Sequence, residues 1–175
     1  WLTGRDEDLV ETPYVYETTK AFIPSGGKVL DVGCGLGGNL LAFHNRGYEV
    51  YGVEPSEHRG AAGAAFMENI CIGTGEDYLE NTDVRFDLIY FFDVLQFMEN
   101  PYRALELASK RLTDSGVIWF KLGVYHRRSN LAQFGHFGML RNYINLYSLL
   151  GPMKKWGLHP ISYRPEPIEL AMSSS

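Results

Sequence analysis

The sequence predicts an open α/β sheet, mostly parallel and doubly wound with helices on both faces, and three observations point to it. Segments of helical and of strand character alternate along the 175 residues, the order that βαβ crossovers impose on a parallel sheet. The runs VLDV (29–32), FDLIYFF (86–92) and VIWF (117–120) are apolar almost without interruption, as strands covered on both faces must be. The first of them leads directly into a glycine cluster, VLDVGCGLGG over 29–38. Glycine permits φ > 0 in a tight turn and lets a ligand approach the main chain closely.

Taken in order, residues 12–23 read as an N-terminal helix. Strands are expected near 28–33, 49–54, 69–73, 86–92 and 116–123. Helices are expected near 37–46, 57–67 and 101–112, and a last one over 146–156 with Asn145 as its N-cap. The end of the chain, HPISYRP (159–165) and IELAMS (168–173), supplies two more strands. Pro165 ends the first of them and Pro167 lies between the two, where a turn or an edge tolerates proline and a central strand does not.

The glycine cluster holds two overlapping fingerprints. Gly33, Gly35 and Gly38 satisfy G-x-G-x-x-G, and Asp31, Gly33, Gly35 and Gly37 satisfy acid-x-G-x-G-x-G. Electrostatics separates the ligands they imply. A dinucleotide sets a doubly charged pyrophosphate against the turn, where backbone N–H groups favour anions, and a carboxylate at Asp31 would oppose it. S-adenosylmethionine (SAM) has no phosphate; it carries a sulfonium and an ammonium, for which Asp31 is a favourable neighbour. Glu54 ends the strand EVYGVE at the spacing where an acid meets a ribose diol. It suits both ligands.

From here the chain resembles the class I SAM-dependent methyltransferases, of the small-molecule kind called type 11 and type 23. NICIGTGEDYLE (69–80) looks like the third family motif, a short strand and turn beside the adenine. FDLIYFFDVLQFMENP (86–101) looks like the fourth, usually FDxVxxxxVLEHxxxP, and RALELASKRLTDSGVIWFK (103–121) like the helix, turn and fifth strand after it. YINLYSLLGPMKKWGL (143–158) is similar to a helix that many small-molecule members carry before their last strands. The resemblance covers about residues 29–158. It implies a Rossmann-like doubly wound sheet, mostly parallel and closed by a C-terminal antiparallel hairpin. It implies SAM as cofactor, with Gly33, Gly35 and Gly37 around the methionine part, Asp31 nearby and Glu54 on the ribose. Thr74, Gly75, Glu76 and Asp77 would flank the adenine, and Phe92 and Asp93 would close the pocket. A turn and helix cap is the plainer reading of 74–77. The family's Glu-His is replaced here by Gln96-Phe97, so a base carried by that histidine does not transfer.

The length suits one α/β domain over residues 1–175, with a start at Trp1 that leaves upstream residues open. No run approaches the roughly 18 apolar residues of a membrane span, and no secretory signal is legible. The two cysteines, Cys34 and Cys71, form no disulfide or zinc pattern. A cytoplasmic location is the expectation, with no metal and no membrane partner. The oligomeric state is not legible.

Charge is uneven along the chain. From Ser115 to Pro165 there are Lys121, Arg127, Arg128, Arg141, Lys154, Lys155 and Arg164 and no Asp or Glu. The formal net charge is −5, so the remainder carries −5 − 7 = −12. The segment after the fifth strand, GVYHRRSNLAQFGHFGML (123–140), lies at the carboxyl edge of the sheet, where open α/β folds bind ligands. One reading makes it the acceptor pocket, with Arg127 and Arg128 gripping an acidic group and His136 beside them. The other makes it a solvated basic loop on an acidic protein. Nucleic acid is disfavoured by the acidic total and the lack of a basic stripe. His126 and His136 are the candidate bases, since imidazole titrates near neutrality. The expected function is methyl transfer from SAM to a small-molecule acceptor, with an anionic one favoured by the basic segment. The rivals are a SAM-binding partner or regulatory module without transfer activity and, more remotely, an NAD-dependent oxidoreductase.

Overall fold

A computed structural model describes residues 9–122, 146–164 and 168–173. The apolar runs become the strands of one seven-stranded sheet in the order β3-β2-β1-β4-β5-β7-β6. They are β1 (Lys28–Val32), β2 (Glu49–Glu54), β3 (Ile70–Ile72), β4 (Phe86–Phe92), β5 (Leu112–Leu122), β6 (His159–Arg164) and β7 (Ile168–Ser173). The pairs from β3 through β5 are parallel, and β7 runs antiparallel to both β5 and β6. This is the Rossmann-like sheet with the C-terminal hairpin that the sequence predicts. Because the chain moves outward from β1 to β3 and then returns to β4, the order reverses between β1 and β4. The crevice outside the carboxyl ends at such a reversal is the usual ligand position in these sheets.

The helices are α1 (Tyr14–Thr19), α2 (Gly38–His44), α3 (Glu57–Ala64), α4 (Gly75–Asn81), α5 (Pro101–Lys110) and α6 (Leu146–Lys155). Strand alternation divides the core between the two faces of the sheet. Leu88, Tyr90 and Trp119 pack with Val15, Leu40 and Phe43 on one face. Ile89, Phe91, Ile118 and Phe120 pack with Leu79, Leu105, Leu149 and Met153 on the other. α5 starts where the sequence says it should. Pro101 occupies its first turn and the Asn100 side chain accepts the Arg103 N–H at 3.0 Å, so an orphan donor is satisfied and the missing proline N–H costs nothing there.

The expected elements differ from the observed ones mainly at their ends, where helices fray. The N-terminal helix is six residues rather than the span 12–23, and β5 begins four residues early. That early arm depends on a register shift between Phe86 and Leu88. There a Cβ on Gly116 would sit 2.7 Å from Phe86 O, so only glycine fits. Asp87 secures the same region: its Oδ2 accepts the Lys28 N–H at 2.8 Å and its Oδ1 the Thr113 hydroxyl at 2.9 Å. The acid of the FDxV motif therefore ties β1 to β5 across the start of β4 and is remote from the crevice. Asn145, the expected cap of α6, lies outside the described residues, as do Pro165 and Pro167. No helix among the described residues is long and apolar enough to cross a membrane.

Candidate functional site at the carboxyl edge of the sheet

β1 ends at Val32 and the chain turns at once. The Gly33 and Cys34 N–H groups both donate to Val53 O, at 2.8 and 3.1 Å, which pins the turn to the end of β2. Gly33 has φ 84° and a Cβ there would lie 2.5 Å from Val94 Cγ2. Neither the conformation nor the space admits a side chain. At Gly35 a Cβ would meet nothing within 4 Å, so this side of the turn is open.

Glu54, the last residue of β2, is 6% exposed. Its Oε2 accepts the Gly35 N–H at 2.9 Å and its Oε1 the Ser56 N–H at 3.0 Å. Both oxygens thus hold backbone, and each keeps a lone pair for a further donor. Asp31 is 2% exposed and stands in register between Gly52 of β2 and Tyr90 of β4. Its Oδ1 has no hydrogen-bond partner, nor has the buried Tyr90 hydroxyl beside it. Burial pushes the Asp31 carboxyl up to about 8; proximity to Tyr90 opposes the rise and the Glu54 charge adds to it. Burial, then the charges of Asp31 and Glu54, push the Cys34 thiol far above its ordinary range. It therefore stays a neutral thiol rather than a nucleophile. In the first turn of α2 the buried Oδ1 of Asn39 also lacks a partner.

The stretch after β3 joins the same edge. The Gly73 N–H donates to Glu54 O at 3.1 Å, and a Cβ on Gly75 would lie 2.4 Å from Val32 Cγ1. Thr74 caps α4, its Oγ1 accepting the Asp77 N–H at 3.1 Å, and Glu76 Oε1 accepts the Asn100 N–H at 3.3 Å. The plainer reading of 74–77 as turn and cap therefore describes its local structure, and the same turn lies against the ends of β1 and β2.

The β4 shoulder is built differently. Asp93, directly after the strand, has φ 54°, the only positive value at a non-glycine residue among those described; such a conformation costs of order 1 kcal/mol or more and needs outside support. The support is visible. The Asp93 N–H donates to Lys121 O at 3.2 Å, Gln96 Nε2 donates to Asp93 O at 2.8 Å, and Lys121 Nζ donates to Asp93 Oδ2 at 3.1 Å. Asp93 Oδ1 is buried without a partner. The Lys121 ammonium lies 4.4 Å from the Phe92 ring centroid and 5.6 Å from that of Tyr14, within cation–π range. Phe92 stacks on Trp119 at 6.2 Å and meets the edge of Tyr14 at 5.8 Å. The N-terminal segment spans both shoulders, because the Thr12 N–H also donates to Gly38 O at 2.9 Å.

All eleven cofactor residues expected from the sequence, Asp31, Gly33, Gly35, Gly37, Glu54, Thr74, Gly75, Glu76, Asp77, Phe92 and Asp93, thus belong to one edge of the sheet. His126, Arg127, Arg128 and His136 lie outside the described residues. Tyr90 and Asn39 are not singled out by the sequence, and Lys121 is legible there only as one of the basic residues between 115 and 165. Tyr90 and Lys121 sit on strand faces where alternation signals packing, and only their neighbours show more.

The sequence matches the family described as a methyltransferase domain over residues 11–158. Among solved structures, a SAM-dependent methyltransferase from Archaeoglobus fulgidus is similar with a TM-score of 0.74 at 14% identity, covering 91% of this chain and 90% of that one. An amino pentose methyltransferase from Micromonospora echinaspora, solved with SAM bound, gives 0.71 at 15% identity over 93% and 89%. A chain of the complex between the Haloferax volcanii Trm112 methyltransferase activator and a methyltransferase gives 0.71 at 14% identity over 92% and 88%. At these identities the likeness is one of fold. A comparison with curated proteins finds no match in sequence.

Proposed function

We propose that this chain, which belongs to the methyltransferase domain family, takes SAM as its methyl donor and a small anionic molecule as its acceptor. The observation that carries the cofactor assignment to particular residues is the set of partnerless buried oxygens on Asp31, Asn39 and Asp93. An amide oxygen and the oxygens of an ionised carboxylate only accept hydrogen bonds, and two of the three belong to acids. A ligand that satisfies them brings donors and positive charge, which the ammonium and sulfonium end of SAM does and a pyrophosphate does not. This supports the methionine part lying against Gly33, Gly35 and Gly37 with Asp31 nearby, and the ribose hydroxyls on the remaining lone pairs of Glu54. Thr74, Gly75, Glu76 and Asp77 then flank the adenine, while Phe92 and Asp93 close the pocket.

When bound, SAM would supply an electrophilic methyl group: an acceptor lone pair would form the new bond to the methyl carbon as the methyl–sulfur bond breaks, with S-adenosylhomocysteine as the leaving thioether. The chain's contribution is alignment and the exclusion of water, which suffice for much of the rate when the reacting atoms are held in line. A protein base is needed only where the acceptor must lose a proton first. Gln96 cannot serve, being a neutral amide that donates to Asp93 O. His126 and His136 are the side chains proposed for that step. Arg127 and Arg128, directly after β5 in a segment free of acids, are proposed to grip the acceptor's carboxylate or phosphate through paired hydrogen bonds.

Titration calorimetry with SAM, S-adenosylhomocysteine and NAD tests the cofactor half. Heat with the first two and none with NAD is expected, and the reverse would end the assignment. For the acceptor half, carboxylated and phosphorylated metabolites are screened for S-adenosylhomocysteine formation. Arg127→Ala with Arg128→Ala should then raise the acceptor KM at least tenfold with SAM affinity nearly unchanged, about 1.4 kcal/mol for tenfold. An unaltered KM would return the segment to a solvated surface loop.

A further inference from the structure

We propose that Asp31 carries a proton in the free enzyme and releases it to solvent when the methionine end of SAM binds, so that cofactor binding and deprotonation of this one side chain are a single event. The inference rests on the cofactor reading above and adds to it a proton that moves.

Asp31 is 2% exposed, and one of its two oxygens has no hydrogen-bond partner. The groups around it come from every neighbouring element. β2 contributes Glu54, a second acid; β4 contributes the Tyr90 hydroxyl; the glycine turn contributes the Cys34 thiol. α2 covers this face with Leu40 and Phe43. Among the described residues no Lys, Arg or His forms an ion pair with Asp31. A carboxylate buried beside another acid and without a cation is costly, and the ordinary escape is to hold a proton. The rise of its carboxyl to about 8 expresses the same geometry. The two other groups cannot relieve the site by ionising, because burial raises Tyr90 and Cys34 as well.

A bound cation reverses the balance. An ammonium or sulfonium brought within a few ångströms of Asp31 favours its charged form. The Asp31 O–H bond then breaks, the electron pair stays on the carboxylate, and the proton goes to buffer; no bond of the cofactor changes. The linkage fixes the sign of the pH effect. Below the free-enzyme titration point, each unit of acidification should weaken SAM binding by about tenfold until the carboxyl of the complex itself titrates. The proton returns when S-adenosylhomocysteine leaves, so each turnover takes up and releases one proton at a residue that does not touch the transferred methyl.

The test is calorimetry at pH 7 in phosphate and in Tris, whose ionisation enthalpies differ widely, so that the difference in observed heat counts the protons released. The wild-type protein should release close to one proton with SAM and with S-adenosylhomocysteine. 5′-Methylthioadenosine, which keeps the nucleoside and thioether but has no ammonium, should release none. Asp31→Asn should release none with SAM, which also controls for any proton moved by the ligand's own amine. Equal heats in the two buffers for wild type with SAM, or the same release from Asp31→Asn or with methylthioadenosine, would overturn the inference. Binding without proton release leaves the cofactor reading standing, whereas no heat with SAM in either buffer removes both. If Asp31→Asn does not fold, the comparison of the three ligands on wild type decides alone.

Discussion

The two shoulders of the crevice each carry an aspartate at a strand end, and the fold treats the two in opposite ways. On the β1 shoulder Asp31 is buried beside Glu54 and Tyr90, and among the described residues no cation pairs with it. On the β4 shoulder Asp93 is partly exposed, and Lys121 compensates it at 3.1 Å while leaning on Phe92 and Tyr14. The difference teaches where charge must come from. The β4 side neutralises its own acid and uses it to hold a strained backbone, so its charge is balanced without a ligand although Asp93 Oδ1 is left without a partner. Among the described residues the β1 side has no cation of its own, and on the inference above a proton supplies the charge in the free protein and a cationic ligand in the complex.

The largest expected effect removes the second acid of the uncompensated shoulder. Glu54→Ala deletes the acceptor for the Gly35 and Ser56 N–H groups as well as the proposed ribose contact. Calorimetry should show SAM binding weakened by about 1.5 to 3 kcal/mol. A loss below tenfold would move the ribose elsewhere.

Next comes the pH dependence of stability in the ligand-free protein. The folded-state titration of Asp31 is raised from 3.8 to about 8, so its contribution is fully present below about pH 4 and is lost as pH rises through 8. Between those limits wild type should lose stability relative to Asp31→Asn by up to about 1.4 kcal/mol per pH unit. Urea denaturation of both proteins at pH 5, 6 and 7 checks the slope. Saturating SAM should flatten it. Parallel curves for the two proteins without ligand would mean that Asp31 is ionised throughout.

A smaller effect is expected on the compensated side. Lys121→Met keeps much of the apolar stem but removes the cation from Asp93 and from the Phe92 face, and should cost about 1 kcal/mol of stability at low salt. Because that pair is partly exposed, 0.5 M salt should reduce the difference. A loss of SAM affinity as large as that of Glu54→Ala would merge the two shoulders into one cofactor site and break the comparison. The smallest change concerns Gln96, which holds Asp93 O at 2.8 Å. Gln96→Ala should lower turnover by less than about tenfold, roughly 1 kcal/mol for one neutral hydrogen bond. Complete loss of activity with SAM affinity intact would make Gln96 a central positioning group.

The site was legible to different depths in its parts. The glycine turn, Asp31 and Glu54 could be read directly, because a run of short-range constraints, strand then tight turn then helix, leaves a local signature. Helix α4 was read only as a turn and cap within a motif, since seven residues beginning with Gly75 carry little periodicity. Asp87 lies within the fourth motif, and its bonds to Lys28 and Thr113 cannot be inferred from spacing.

What the amino-acid order determined by itself is the succession of elements, the mostly parallel character of the sheet, and the position of each acid at or near a strand end. These follow from apolar runs, caps and glycines, whose preferences act over a few residues. Only the tertiary structure decided which acid receives a cation. Lys121 reaches Asp93 because β5 lies next to β4, and Asp31 faces Tyr90 and Glu54 because β1 lies between β4 and β2. Burial and neighbouring charge set the protonation of a carboxyl, and both are properties of strand order and register that no stretch of sequence around Asp31 contains.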